Sequence, residues 1–385
     1  MRRTVWIPRL LEALLPIAAV LLAFAIGAVL LYALGENPLQ AYWTLISGAF
    51  GSVSGLTATL TKMVPLMLVG LGICISFRGG VINIGGEGQL IIGALAATAI
   101  GLALRMLPGW LLLPIVLLTG AAAGAFWGGI AGVLKARLNV NEILSTIMLN
   151  AIAFQLMNWL LRGPLLDPEQ RAAGTHIPQT EALPEAIWLV KLVPRTQLHG
   201  GIFLALILAV LVYLLLWRTT LGYRIRMVGL NRSAARYAGV NVPFYVALSL
   251  ILGGAFAGLA GAVEVTGLHH RMLEGMSGGY GFSGIVAALF GKLHPLGLIP
   301  ASFFFGGLLV GADKMQRAIQ VPSALITVIN GLVVMFVVAS DLYVRRAKRR
   351  YSAEAAVQQS KESNTPPAGP ATGRAVASDS SPSLP

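Results

Sequence analysis

The sequence predicts an all-α polytopic membrane protein with about ten transmembrane helices. Three observations predict it. Between Leu11 and Val344 the chain is a succession of long apolar stretches, broken by short links and one longer loop. Apolar residues make up 56% of the 385 positions and charged residues 11%, where a soluble domain is nearer a quarter charged. A hydrocarbon core takes roughly 20 apolar residues per helix, and the stretches supply that length repeatedly.

The predicted spans are Leu11–Leu34, Leu56–Ser76, Val81–Leu104, Trp110–Leu134, Glu142–Leu161, His199–Trp217, Val242–Val263, Ser277–Phe290, Gly297–Ala312 and Pro322–Tyr343. The first follows Arg2 and Arg3, but it is too long for a signal-peptide core and is read as a retained helix. Positively charged loops stay in the cytoplasm. That rule puts Arg2, Arg3 and Arg9 inside, then Arg78, Lys135 and Arg137, Arg218 to Arg236, and the run Arg345 to Arg350. Both termini are then cytoplasmic, provided the short segment Ser277–Phe290 crosses.

The net charge of +13 is accounted for by these loops. The partner it implies is the lipid bilayer and not a nucleic acid. The single cysteine, Cys74, sits between Ile73 and Ile75 and reads as a packing residue. No cysteine or histidine spacing points to a metal, and no cofactor motif is present.

The chain divides into a transmembrane domain, 1–346, and a tail, 347–385. The tail is Ser-, Pro-, Ala- and Gly-rich and is expected to be disordered. The external loop 162–198 carries Pro164, Pro168, Pro178, Pro184 and Pro194 and reads as an ordered cap, with a short interfacial helix near Glu185–Leu192. Glu36–Gly55 is expected along the interface, anchored by Tyr42 and Trp43. Lys62 and Glu264 sit near the outer ends of helices, where long side chains snorkel; Glu264 could instead reach a solute pathway. His294 reads as a solvated turn residue.

Two halves, Leu56–Leu161 and Val242–Tyr343, share a pattern: an apolar helix, a Gly-rich break, a shorter helix. The breaks are Phe77–Gly88 and Glu274–Phe282. By the charge rule the halves run in opposite directions, as inverted four-helix repeats. Gly-interrupted helices in matching positions of two halves point to a transport pathway.

Polar residues in the apolar zone are the candidate pathway groups. Asn83, Glu87 and Gln89 lie on the first break, and irregular backbone at that depth must face protein or a cavity. The structural alternative is that Asn83 and Glu87 satisfy the start of the following helix. Asn150, Phe154 and Asn158 recur every four residues and share one helix face. They could stack and hydrogen-bond a planar polar ligand, or hydrogen-bond between helices.

There is no P-loop, nucleophile elbow, H-E-x-x-H or CxxC, so no enzyme is expected. Uphill transport would draw energy from a partner or an ion gradient. The inner loop 218–241 has five arginines and no acid. Asn231 is placed to N-cap a short helix over 233–238, which Gly239 can end.

This loop resembles the coupling segment of ABC-importer permeases of the branched-chain amino acid, ribose and nucleoside class. Gly222, Arg224, Arg226, Gly229, Asn231, Ala234, Ala235, Gly239, Val240 and Asn241 carry the match. Phe77-Arg78-Gly79-Gly80-Val81-Ile82-Asn83-Ile84-Gly85-Gly86-Glu87-Gly88-Gln89 resembles the signature of the nucleoside, guanosine-type subgroup, with Ile82 where Phe is usual. Ser145–Asn150, continuing to Arg162-Gly163-Pro164, resembles it too. The resemblance implies a bacterial plasma-membrane permease subunit whose energy comes from a separate ATP-binding cassette ATPase. A second homologous permease and an extracellular solute-binding protein complete the assembly it implies. Gly229, Asn231, Ala234, Ala235 and Gly239 would form the ATPase-coupling segment. The resemblance favours nucleosides, with sugars or branched-chain amino acids as alternatives in the class. An ion-coupled carrier is the alternative outside it.

Overall fold

The computed structural model describes residues 6–33, 35–175 and 177–319, together with 328, 331–332, 335–336 and 339. The predicted span Pro322–Tyr343 lies largely outside the described residues; the basic run 345–350 and the tail lie wholly outside them. Thirteen α-helices are described: α1 Trp6–Ala33, α2 Pro38–Phe50, α3 Val53–Arg78, α4 Gly86–Ala103, α5 Gly109–Leu138, α6 Glu142–Arg162, α7 Pro168–Ala172, α8 Gly201–Arg218, α9 Thr220–Leu230, α10 Arg232–Tyr237, α11 Val242–Glu264, α12 Tyr280–Phe290 and α13 Pro295–Ile319. Among the described residues, seven are long and apolar enough to cross a bilayer: α3, α4, α5, α6, α8, α13, and α11 with its continuation to His269.

α3 is the central helix. It is apolar on every side, and Leu66, Met67, Leu68, Leu71, Ile73 and Ile75 are fully buried. Such a helix is stable only when wrapped by others. α5, α6 and α8 bury one face and leave the other exposed.

Small residues bring the backbones together. α5 carries Gly120, Gly124, Gly128 and Gly132 at four-residue spacing, facing α11. A Cβ added at Gly124 would lie 2.2 Å from the Gly254 carbonyl oxygen, and one at Gly258 would lie 2.2 Å from that of Gly120. Gly72 of α3 and Gly93 of α4 approach α11 equally closely, at Gly253 and Gly258. Apolar burial does not drive helix association in lipid, so this close packing is the principal attraction.

Both Gly-rich breaks interrupt the helices. α3 ends at Arg78, and the chain runs through seven non-helical residues before α4 starts at Gly86. Gly80 adopts a left-handed φ of +72° there. In the second half α11 continues as a π-helical turn, Val265–His269, into a Gly-rich loop before α12. Residues 270–274 hydrogen-bond to the long loop: His270 O accepts from Leu183 N–H (2.8 Å) and Met272 O from Thr180 N–H (3.0 Å). Beyond α12, Leu293 O accepts from Nε of Arg78 (3.1 Å) at the arginine-rich end. Between His270, against the long loop, and Leu293, at the arginine-rich end, only the 11 residues of α12 are helical. That is about 17 Å of helix, roughly half a bilayer core.

Several local expectations change. α2 is a capped helix: Asn37 Oδ1 accepts from Leu39 N–H. It packs against α13, where a Cβ on Gly311 would meet Leu45 O at 2.4 Å. Trp43 is exposed, but Tyr42 turns inward and donates to Phe24 O. The helix predicted over Glu185–Leu192 is only a 3-10 turn, Glu185–Ile187. Leu189 and Leu192 donate instead to Thr266 O and Leu198 O, which takes the backbone out of helical pairing. Lys62 does not snorkel but pairs with Asp313 of α13 at 2.6 Å. Glu264 is fully buried. His294 is half-buried against the rings of Trp217 and Tyr213.

Candidate functional site: two opposed half-helices and an arginine-rich segment

α4 and α12 meet head to head. Gly86 and Gly284 both pack on Val69, in the middle of α3. Oε2 of Glu87 accepts a hydrogen bond from Gly281 N–H at 2.7 Å. Ser277 and Gly279 also turn toward this carboxylate. Two helix N-termini, each with a partial positive charge, thus share one acid. Glu87 lies in the first turn of α4, and its carboxylate bonds the start of α12. The approach is close because residue 281 is glycine: a Cβ there would lie 2.2 Å from Glu87 N.

The other predicted pathway amides gather at the same break. Asn83 is fully buried, and its Oδ1 accepts from Gly85 N–H at 2.9 Å. Its Nδ2 donates to Gln89 Oε1 at 3.1 Å, and Gln89 Nε2 returns a bond to Asn83 Oδ1 at 3.3 Å. Asn150 Oδ1 accepts from Gly88 N–H (2.8 Å), while its Nδ2 donates to Ile84 O (2.9 Å). Non-helical backbone at membrane depth leaves N–H and C=O groups without helical partners, and these amides supply partners. Asn83, Gln89 and Asn150 thus tie down the same break, whereas the Glu87 carboxylate bonds across to the start of α12. Phe154 and Asn158 lie one and two turns further along α6, and neither joins these bonds. Phe154 is exposed, while Asn158 Oδ1 is buried with no hydrogen bond among the described residues.

The arginine-rich segment touches the break directly. Asn231 caps α10 by accepting from Ala234 N–H at 3.1 Å. Gly239, with φ of +77°, follows the end of α10. Ala235 is buried, whereas Ala234 and Tyr237 are exposed. Gly229, at the end of α9, sits against the turn after α3: a Cβ there would lie 2.0 Å from Arg78 O. Nη2 of Arg232 donates to Gly80 O at 2.9 Å. The guanidinium groups of Arg78 and Arg226 both lie over the Trp217 ring, at 5.3 and 5.5 Å. An open cleft of about 550 Å³ lies between α9 and the start of α11, lined by Tyr223, Arg224, Met227, Gly239 and Phe244 among others.

Sequence reasoning missed Gly281, the partner of Glu87, and the contact of Gly229 and Arg232 with Gly80. Only the shared Gly-rich character of the two breaks signalled the first.

The chain matches, over residues 55–338, the family described as branched-chain amino acid transport system / permease component. It belongs to that family. It is 36% identical over 335 residues to the guanosine ABC transporter permease protein NupP of Bacillus subtilis, covering 87% of this chain and 95% of the relative. It is 37% identical over 354 residues to the glucose ABC transporter permease protein TsgB13 of Haloferax volcanii, with 89% and 91% covered. The nucleoside ABC transporter permease protein NupB of Lactococcus lactis is 31% identical over 353 residues, with 89% and 96% covered. The chain is an integral-membrane permease subunit of an ABC transporter, a non-catalytic component. Membership sets aside the ion-coupled carrier.

Proposed function

We propose that this permease takes up a nucleoside or a related hydroxylated solute such as a simple sugar across a bacterial plasma membrane. It does so with an ATP-binding cassette ATPase on its arginine-rich face, a second homologous permease beside it, and an extracellular solute-binding protein at the loop 162–198. Both termini are cytoplasmic. The relatives named for guanosine, nucleosides and glucose support the solute class, since all these cargoes carry several hydroxyl groups.

The observation that carries the mechanism is the contact of Gly229 and Arg232 with the Arg78–Gly80 turn. α10 offers the exposed Ala234 and Tyr237 to a docked ATPase. Gly229, Asn231, Ala234, Ala235 and Gly239 shape that dock. A push on α10 moves the turn at Gly80, and six residues further on the chain enters the α4–α12 junction at Gly86. Displacement beneath the membrane thus reaches the two half-helices without any intervening side-chain relay. Separation or rotation of those half-helices is the gating step. Asn83, Glu87, Gln89 and Asn150 hold the junction, and Asn158 and Phe154 line the solute route along α6.

The test is uptake by the reconstituted complex. Tyr237→Glu, on an exposed side chain, is expected to abolish uptake and ATPase stimulation while the permease still inserts. Unchanged uptake would exclude α10 as the dock. Labelled guanosine, glucose and leucine presented in parallel decide the solute class, and exclusive leucine uptake would overturn it.

A further inference from the structure

Glu264 ends α11, one turn beyond Gly261, whose position packs on Leu90 and Ala94 of α4. It therefore lies on the external-loop side of the α4–α12 junction. Its side chain is 0% exposed, yet neither carboxylate oxygen accepts a hydrogen bond among the described residues. Ionisable groups buried in membrane proteins are costly and are retained for function. Here the chain buries a carboxyl group and gives it no hydrogen-bond donor among the described residues.

The backbone is unusual at the same place. The π-helical turn Val265–His269 follows directly. Such turns occur mostly at functional sites, and they align residues five apart. That alignment sets His269 Nε2 3.6 Å from Glu264 Oε2, too long for a hydrogen bond. An α-helix would have placed residues 264 and 269 on different faces. From α3, Lys62 acts on Glu264 electrostatically while remaining paired with Asp313 of α13. From α12, Tyr280 lies in the field of both acids. His270 turns away and stacks on Trp188, with ring centroids 3.9 Å apart.

We propose that Glu264 and His269 form a hydroxyl-binding station above the half-helix junction, at which a vicinal diol of the solute donates two O–H bonds to the Glu264 carboxylate while His269 Nε2 bonds one of the same oxygens. A diol matches this site because it brings the two donors that the carboxylate lacks. The inference rests on the solute class proposed above.

The experiment measures uptake KM in the full reconstituted complex for guanosine and for 2′,3′-dideoxyguanosine, which lacks the vicinal diol of the ribose. The binding protein stays the same throughout, so any change in the ratio within the pair belongs to the permease. Glu264→Gln is expected to raise the KM of the diol-bearing solute about tenfold or more and leave its deoxy partner nearly unchanged. His269→Gln is expected to shift the same ratio in the same direction by less. A parallel loss for both members of the pair, or no change, overturns the station while leaving the solute class standing. Wild-type complex that carries neither guanosine nor glucose overturns the solute class, and the station with it. If neither variant yields an assembled complex with normal basal ATPase, Glu264 is structural and the station is excluded.

Discussion

The carboxylate of Glu87 and the backbone N–H of Gly281 are joined by a 2.7 Å hydrogen bond across the two halves of the chain. The bond links the starts of two helices that run in opposite directions. Carboxylate–amide bonds of this kind are worth about 1.5–3 kcal/mol, and the positive N-terminal ends of the two helices add to that. Glu87→Gln keeps an acceptor and loses the charge; Glu87→Ala loses both. Thermal unfolding in detergent is expected to rank wild type above Gln above Ala, with the Ala variant lower by about 2–3 kcal/mol. Equal stability of all three would mean that the junction does not depend on this acid.

Asn150 is a fastener for the break rather than a free pathway group, because both ends of its amide are used. Asn150→Asp retains the acceptor for Gly88 N–H but sets a carboxylate oxygen against Ile84 O. Asn150→Leu leaves both backbone groups without a side-chain partner. Each variant is expected to lose about 1–3 kcal/mol of stability and a matching fraction of assembled complex. Asn158→Leu, which removes an unbonded Oδ1, is expected to keep assembly and lower uptake. Size-exclusion recovery beside uptake separates the two residues.

Gly229→Ala tests the lever. The added methyl would be driven into Arg78 O, and overpacking of this kind costs about 1–3 kcal/mol. The expected result is a complex that still hydrolyses ATP but delivers less solute per ATP. If solute moved per ATP is unchanged, the contact between α9 and the Gly80 turn carries no force.

Fold class, most helix positions and the two breaks could be read from the chain. Each depends on local composition: apolar runs long enough for a bilayer, or glycines clustered where a helix must stop. The α10 cap was legible for the same reason, since Asn231 and Gly239 act within a few residues of themselves. What joins the halves was not. Nothing near residue 87 or residue 281 marks them as partners, because 194 positions separate them. The same holds for Lys62 and Asp313, 251 positions apart. The Glu264–His269 pair escaped for another reason. A spacing of five belongs to neither α-helix nor strand, and only the π-turn gives it meaning.

Acid should loosen the long loop that precedes α8. His199 precedes α8 and is fully buried, with Nδ1 accepting from Gly201 N–H at 3.2 Å. Burial, with His270 nearby, lowers its pKa from 6.5 to about 4. The folded state therefore holds it neutral, while the unfolded chain takes up a proton below about pH 6.5. The stability it contributes is complete above pH 6.5 and is lost as the pH falls toward 4. Each tenfold change in proton affinity is worth about 1.4 kcal/mol, so the full displacement is on the order of 3 kcal/mol. His270, also lowered by burial, steepens the same limb. Melting temperature measured from pH 7.5 to 4.5 is expected to fall across this window, and His199→Gln to flatten the fall. An identical slope in the variant would assign the acid lability elsewhere.

The last prediction concerns the α5–α11 seam. Gly124 faces Gly254 and Gly258, and a Cβ at Gly124 would lie 2.2 Å from Gly254 O and 2.6 Å from Gly258 Cα. Neither obstacle is a flexible side chain, so even Gly124→Ala must part the helices. Gly129 lies five residues along the same helix but meets only the Ile251 side chain, at 3.3 Å. That chain can turn aside. Gly124→Ala is expected to cost about 1–3 kcal/mol, and Gly129→Ala to be neutral or slightly stabilising through helix propensity. Because α11 also backs the π-turn at 265–269, separation of the seam should impair uptake in proportion to the stability lost. A Gly124→Ala permease that melts and transports like wild type would show that the backbones are not in contact there.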